Sequence, residues 1–249
     1  MQTVKFPNIS AVASVRHAVF TRKGGCSQPP YHSLNVSHGI GDPDNAVEDN
    51  RRMIADNLGA KILAMAEQVH GTNILVLETI PKPTKNPFFF RAGSGDALVT
   101  DKQGVHLVIQ TADCQPVLVV DPSKNVIANV HVGWRGNVHN ILGLTVKKMQ
   151  DIFGCQPQDL QVAIGPSLGP CCAEFVNYRQ EFPKTMWSQK DDRDRFDLWQ
   201  ISADQLRTAG VAQANLHISK ICTKCRTDQF FSYRAQKTTG RFASVIGLI

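Results

Sequence analysis

Residues Thr111–Gly136 read TADCQPVLVVDPSKNVIANVHVGWRG, and the way this stretch pairs with itself decides how the rest of the chain is arranged. Val117–Asp121 and Val126–Val132 are rich in β-branched residues, and Pro122, Ser123, Lys124 and Asn125 between them are turn formers, so the stretch is predicted to be a β-hairpin. Pairing Asp121 with Val126 places Val117 opposite Val130 and Pro116 opposite His131. Cys114 then becomes the diagonal, same-face neighbour of His131, with Cα atoms roughly 7–8 Å apart. A thiol and an imidazole converging at the mouth of a buried hairpin act either as metal ligands or as a nucleophile and its base.

A cysteine and a histidine on β-rich stretches are more often packed and inert. The flanks count against that here. Gly133 and Gly136 bracket Trp134 and Arg135, which marks backbone that turns tightly or is approached closely. Pro116 keeps Cys114 out of an ordinary central strand, so the cysteine is expected where pairing ends and a pocket can open.

With 249 residues, 42% of them hydrophobic and 19% charged, the chain can bury one sizeable core, and a single domain over residues 1–249 is expected. No apolar run is long enough to span a membrane, and the first residues lack the pattern of a signal peptide, so a cytoplasmic protein is expected. Seven cysteines, an odd number, fit reduced thiols or ligands better than a disulfide framework. Lys plus Arg number 27 against 21 Asp plus Glu, an excess that favours anionic ligands, but no dense basic block or nucleic-acid-binding signature accompanies it.

Upstream of the hairpin, Val12–Phe20 reads as a strand leading into the basic loop Thr21–Gly25. Such a loop can hold phosphate, although Arg22 and Lys23 would serve equally as solvated charges. Asp44 is the expected N-cap of a helix closed by Gly59. Ile62–Val69 and Thr72–Glu78 are apolar runs joined at Gln68-Val69-His70-Gly71, where His70 could face a cleft. Residues 79–95, rich in proline and carrying Phe88–Phe90, are expected to form a long loop. Short strands are expected at Asp96–Thr100 and Val105–Ile109.

Downstream, helical spacing runs from Val138 to Phe153 with Gly154 as its stop, and the amides opening this helix, with Arg135 beside them, are expected to seat an anion. Leu160–Ile164 is a strand and Leu198–Ala209 a helix stopped by Gly210. Cys222 and Cys225 have the spacing of half a zinc site or of a redox pair. The adjacent Cys171 and Cys172 are expected not to complete it, because neighbouring residues reach one tetrahedron only with unusual geometry. Arg234 and Arg241 could reach an anion or sit exposed in turns. Many short strands with a few helices argue for an α/β sandwich of mixed β-sheets.

The ordered motifs Phe20–Gly25 (FTRKGG), Ser33–Asn35 (SLN), Asn50–Arg52 (NRR), Gln68–Gly71 (QVHG), Gly95–Thr100 (GDALVT), Thr111–Cys114 (TADC), His131–Gly136 (HVGWRG), Ile164–Cys172 (IGPSLGPCC), Phe230–Arg234 (FFSYR) and Thr238–Arg241 (TTGR) resemble the bacterial laccase-domain proteins of the YfiH type, also called polyphenol oxidases or purine nucleoside phosphorylases. The likeness runs from about residue 17 to the C-terminus. It implies a single-domain sandwich of mixed sheets flanked by helices, related in shape to the catalytic domain of deamidating bacterial toxins. It further implies a catalytic zinc held by His70, Cys114 and His131, with an open fourth position. The implied reaction is phosphorolysis of purine nucleosides (adenosine, inosine, guanosine, methylthioadenosine) to free base and ribose 1-phosphate, with adenosine deamination beside it, in a monomer or homodimer. Arg22, Arg135, Arg234 and Arg241 become candidate phosphate ligands. Copper is the weaker metal, since a laccase needs several coppers and many clustered histidines. Two other readings of the same residues stay open: a metal-free cysteine hydrolase or deamidase using Cys114 and His131, and a non-catalytic nucleotide- or anion-binding module. The chain departs from the family pattern in its surplus cysteines, which touches none of the three ligands.

Overall fold

Asp121 does pair with Val126, and Pro116 with His131, so the hairpin takes the expected register in a computed structural model that describes residues 1–249. The first half of the chain runs β1 (Thr3–Val4), α1 (Pro7–Ser10), β2 (Val15–Phe20), α2 (Asp44–Leu58), β3 (Ile62–Glu67), β4 (Ile74–Val76), β5 (Phe88–Ser94), β6 (Ala97–Thr100) and β7 (Val105–Thr111). The second half runs β8 (Gln115–Asp121), β9 (Val126–Val132), α3 (Trp134–Val138), α4 (Ile141–Phe153), β10 (Gln161–Ile164), α5 (Tyr178–Glu181), α6 (Leu198–Thr208), β11 (Leu216–Ile218), α7 (Tyr233–Gln236) and β12 (Phe242–Leu248). The strands form two mixed sheets, ordered β1-β2-β12-β7-β3-β5 and β11-β10-β8-β9-β6-β4.

Period-two alternation stacks the layers. On β9, Ile127 belongs to the apolar core between the sheets, together with Leu118 and Val120 of β8, Leu107 and Ile109 of β7, and Ile246 of β12. The intervening Val126, Ala128, Val130 and Val132 face outward and are covered by Ile141, Leu142, Val146 and Met149 of α4 and Leu206 of α6. The outer face of the other sheet is covered by Ile54, Ala55 and Leu58 of α2. The order is therefore helix, sheet, sheet, helix. By the same parity His131 points between the sheets, at the end where β9 leaves the core.

Three local expectations change. Asp44 is the first residue of α2 rather than its cap, Pro43 holds the cap position, and the Asp44 carboxylate instead pairs with His38 Nδ1 at 2.7 Å. The stretch expected as loop contains β5, which pairs in parallel with β3, setting Phe88 opposite Ile62. Only a partner distant in sequence makes that strand, so its own proline-rich approach hides it. The helix expected from Val138 to Phe153 is two helices. Asn140 breaks it in the left-handed region (φ 55°) and caps α4 through an oxygen that accepts from Gly143 N. The helix that opens beside His131 is therefore the short α3, capped at Gly133, and the longer α4 starts farther on, at Ile141.

Asn129, fully buried on β9, bridges the sheets by donating to the carbonyls of Leu107 and Ser244 at 3.0 and 2.9 Å. Asn129→Ala strands both carbonyls in a dry core, so it is expected to cost about 2–4 kcal/mol. Calorimetry should show a melting temperature lowered by roughly 5–15 °C.

Candidate metal centre

Cys114, one residue before β8, and His131, near the end of β9, meet at the open end of the sandwich, and the turn after β3 brings His70 to them. The Sγ and ring-nitrogen donors of the three lie within 4.8 Å of one another, with Cys114 Sγ 3.9 Å from His70 Nε2. His70 adopts the left-handed conformation (φ 59°), which turns its ring back toward β9, and its ring meets that of His131 edge-on at 4.8 Å.

The carboxylate of Asp96 makes this arrangement rigid. It is fully buried just before β6 and accepts from His131 Nδ1 at 2.8 Å and from the amides of Val69, His70 and Gly71 at 3.3, 3.0 and 2.7 Å. Burial alone would raise its pKa, but the His131 ring and the Gly71 and His70 amides hold the carboxyl below its usual range. With Nδ1 occupied, His131 presents Nε2 to the other donors, an orientation common to metal-binding histidines. Sequence reasoning passed over Asp96, although it lies in the GDALVT motif.

Charge in the donor set is strongly perturbed. Burial raises the Cys114 thiol, but the charge and hydrogen bonds of His131 and the hydrogen bond from His70 outweigh it and bring it down to about 6. Burial lowers His131, yet Cys114 and Asp96 together push it up to about 9. The same field that favours a thiolate suits a soft cation with nitrogen and sulfur ligands. The chemistry of the set, its reach and its one side open to a cavity all fit a three-ligand zinc site.

That cavity measures about 1050 Å³, large enough for a nucleoside with an anion beside it. Arg135, Arg234 and Arg241 line it and Arg22 does not. Arg22 instead donates to the carbonyls of His32 and Thr227 and lies over the Phe231 ring, so it braces the C-terminal segment. Arg51, which the sequence reading left out, also lines the cavity, and its guanidinium donates to Val36 O while burial pulls its pKa down to about 10. Arg51, Arg135, Arg234 and Arg241 form no ion pair. Asp113, beside Cys114, holds a strained φ of 102° because its carboxylate accepts from Thr223 Oγ1 and from the Arg234 amide, at 2.7 and 2.6 Å. It thereby ties the C-terminal segment to the cysteine.

Fold and site together define a two-sheet α/β protein with a His/Cys/His donor set under an arginine-rich cavity. The chain belongs to the multi-copper polyphenol oxidoreductase laccase family, whose model matches residues 16–249. It is 35% identical to the purine nucleoside phosphorylase YlmD of Geobacillus stearothermophilus over 91% of this chain and 88% of that one. It is also 35% identical to the purine nucleoside phosphorylase YfiH of Escherichia coli, over 92% of each chain. The crystal structure of Geobacillus stearothermophilus YlmD superposes with a TM-score of 0.85 at 32% identity, covering 98% of this chain and 94% of that one.

Gly133 tests the packing of the donor set. A Cβ there would stand 3.0 Å from His70 Cδ2 and 3.3 Å from Cys114 Sγ. Gly133→Ala is expected to leave the melting temperature within a few degrees while displacing His70 by a few tenths of an ångström. Metal affinity and turnover should each fall by about tenfold or more, as metal titration and steady-state kinetics would show.

Proposed function

We propose that this protein is a zinc-dependent purine nucleoside phosphorylase that also deaminates adenosine. The observation that carries the reading is the His70, Cys114 and His131 donor set opening into the same cavity as arginines that have no carboxylate partner. Adenosine, inosine, guanosine and methylthioadenosine are the substrates proposed, with phosphate as co-substrate.

In phosphorolysis an oxygen of phosphate forms a bond to C1′ as the bond from C1′ to the purine nitrogen breaks, and the base leaves with a proton. Zinc bound by the three donors would supply a Lewis acid for phosphate or an attacking oxygen, and for deamination would lower the pKa of water to about neutrality. Arg135, Arg234 and Arg241 bind and orient the phosphate, and Arg51 adds positive charge on the far wall. Asp96 keeps the His131 proton on Nδ1. The rings of Trp134, Phe175 and Tyr233, which also line the cavity, offer faces for a flat base. In deamination water replaces phosphate, its oxygen adds at C6 and ammonia departs.

The depressed Cys114 and elevated His131 favour a second reading, a metal-free cysteine hydrolase or deamidase, in keeping with the proposed kinship to deamidating toxins. The non-catalytic binding module has no observation of its own in its favour. A multi-copper oxidase needs several histidine-rich centres, whereas of eight histidines only His70 and His131 join a donor set.

Purified protein is expected to release base and ribose 1-phosphate from adenosine or inosine only when phosphate is present. Chelation should abolish the activity and zinc restore it; activity that survives complete metal removal supports the hydrolase instead. Cys114→Ser should lose nearly all phosphorolysis, because a serine hydroxyl stays protonated and binds zinc poorly. Its melting temperature should fall by only a few degrees, about 1–2 kcal/mol, since the sandwich core does not depend on the ion. His70→Ala and His131→Ala should behave alike in both measurements.

A further inference from the structure

Cys171, Cys172, Cys222 and Cys225 lie outside the cavity and converge, contrary to the sequence expectation that they would stay apart. Two backbone features bring them together. The segment after β10 folds into a turn in which Cys172 N and Ala173 N both donate to Gly169 O, at 2.9 and 3.0 Å, and this turn rolls the adjacent cysteines toward one point. Ser167 bridges in parallel to Cys222, with Ser167 N donating to Ile221 O and Thr223 N to Ser167 O, which lays the Cys222–Cys225 turn alongside.

We infer that these four sulfurs form a second metal site, a closed tetrathiolate zinc centre that straps the C-terminal segment to the wall of the cavity. All four Sγ atoms lie within 4.8 Å of one another, and Cys225 Sγ is 3.6 Å from the sulfurs of both Cys171 and Cys172. Ligands bound tetrahedrally at about 2.3 Å stand about 3.8 Å apart, so both Cys225 separations already match edges of such a site and no other pair is farther apart than 4.8 Å. A disulfide would need only two of them.

The surroundings suit thiolates. Gly169 N donates to Cys222 Sγ at 3.3 Å, an amide contact of the kind that supports metal-bound sulfur. Arg195 donates to the carbonyl of Cys171 at 3.1 Å, which places a guanidinium beside a centre carrying a net charge of −2. Cys171 and Cys225 are exposed, so an ion can enter from solvent. Loading replaces four S–H bonds with four Zn–S bonds and releases four protons to water, with no change of oxidation state. All four positions are then filled by protein, which marks a structural rather than a catalytic ion. Its lever on the cavity is short. Thr223, between the paired cysteines, holds Asp113, and Phe175 on the cavity wall follows Cys172 by three residues.

The site is independent of His70, Cys114 and His131, so the decisive protein is the full chain carrying His70→Ala and Cys114→Ser. Purified in reducing buffer without chelator, it is expected to retain one equivalent of zinc by elemental analysis. Replacement with cobalt should give the intense charge-transfer absorption of a tetrahedral tetrathiolate. Adding Cys222→Ser and Cys225→Ser should remove both the zinc and that absorption; if this variant does not fold, Cys225→Ser alone, at an exposed position, should weaken zinc retention at least tenfold. The proposal is overturned if the His70→Ala/Cys114→Ser protein holds no zinc, if its zinc persists when the C-terminal cysteines are removed, or if unreduced protein shows a disulfide among the four by mass.

Discussion

One buried carboxylate governs the donor set. Asp96 stands between three successive amides of the turn at Val69–Gly71 and the ring of His131, so the hydrogen bonds it accepts fix the positions of both His70 and His131. Were it lost, three amides and a ring nitrogen would be left without their partner, at about 1–3 kcal/mol for each buried group. Gln68 anchors the start of the turn that presents His70 by exchanging hydrogen bonds with the Gln110 backbone at 2.8 and 2.9 Å, but His70 and Val69 themselves are exposed, and the left-handed backbone at His70 is unfavourable on its own. The carboxylate thus fixes a strained surface turn so that His70 stays beside Cys114 and His131.

The sandwich explains why the donors meet where they do. Core residues occupy alternate positions of β8 and β9, so one step past the packed layers the same parity delivers Cys114 and His131 to the space between the sheets. There the cover changes from the two sheets to a satellite cluster of Leu168, Phe175, Phe182 and Phe196, contributed by the long segment between β10 and α6, with Leu198 at the start of α6. That segment carries few regular elements and is organised by aromatic contacts such as Phe182 on Phe196, at 4.2 Å between centroids. A rigid scaffold holding donors beneath walls drawn from loops is the usual division between fold and site.

The arginines show how position changes the meaning of one residue type. Arg22 is consumed by carbonyls and an aromatic ring, while Arg234 spends one donor on Glu174 O and Arg241 spends one nitrogen on the carbonyls of Thr239 and Gly240. Such carbonyl contacts orient a guanidinium without neutralising it. The cavity therefore keeps its positive charge, whereas Glu67, an acidic residue on its rim, faces Arg91 at 3.6 Å.

The sequence alone determined what is encoded within a few residues. Turn chemistry at Pro122–Asn125 and β-branched flanks set the hairpin register, and with it the meeting of Cys114 and His131; left-handed glycines at Gly59 and Gly154 set two helix ends. Resemblance supplied His70, which no local pattern could join to the pair. Only the tertiary structure decided the rest. β5 exists because β3 is there to pair with it, Asp96 matters because β6 runs beside β9, and the four cysteines converge because a parallel bridge at Ser167 aligns segments about fifty residues apart in the sequence. Periodicity and turn residues are read from neighbours along the chain, whereas the partner of a buried carboxylate or thiol is set by the path of the whole backbone, which no window of sequence contains.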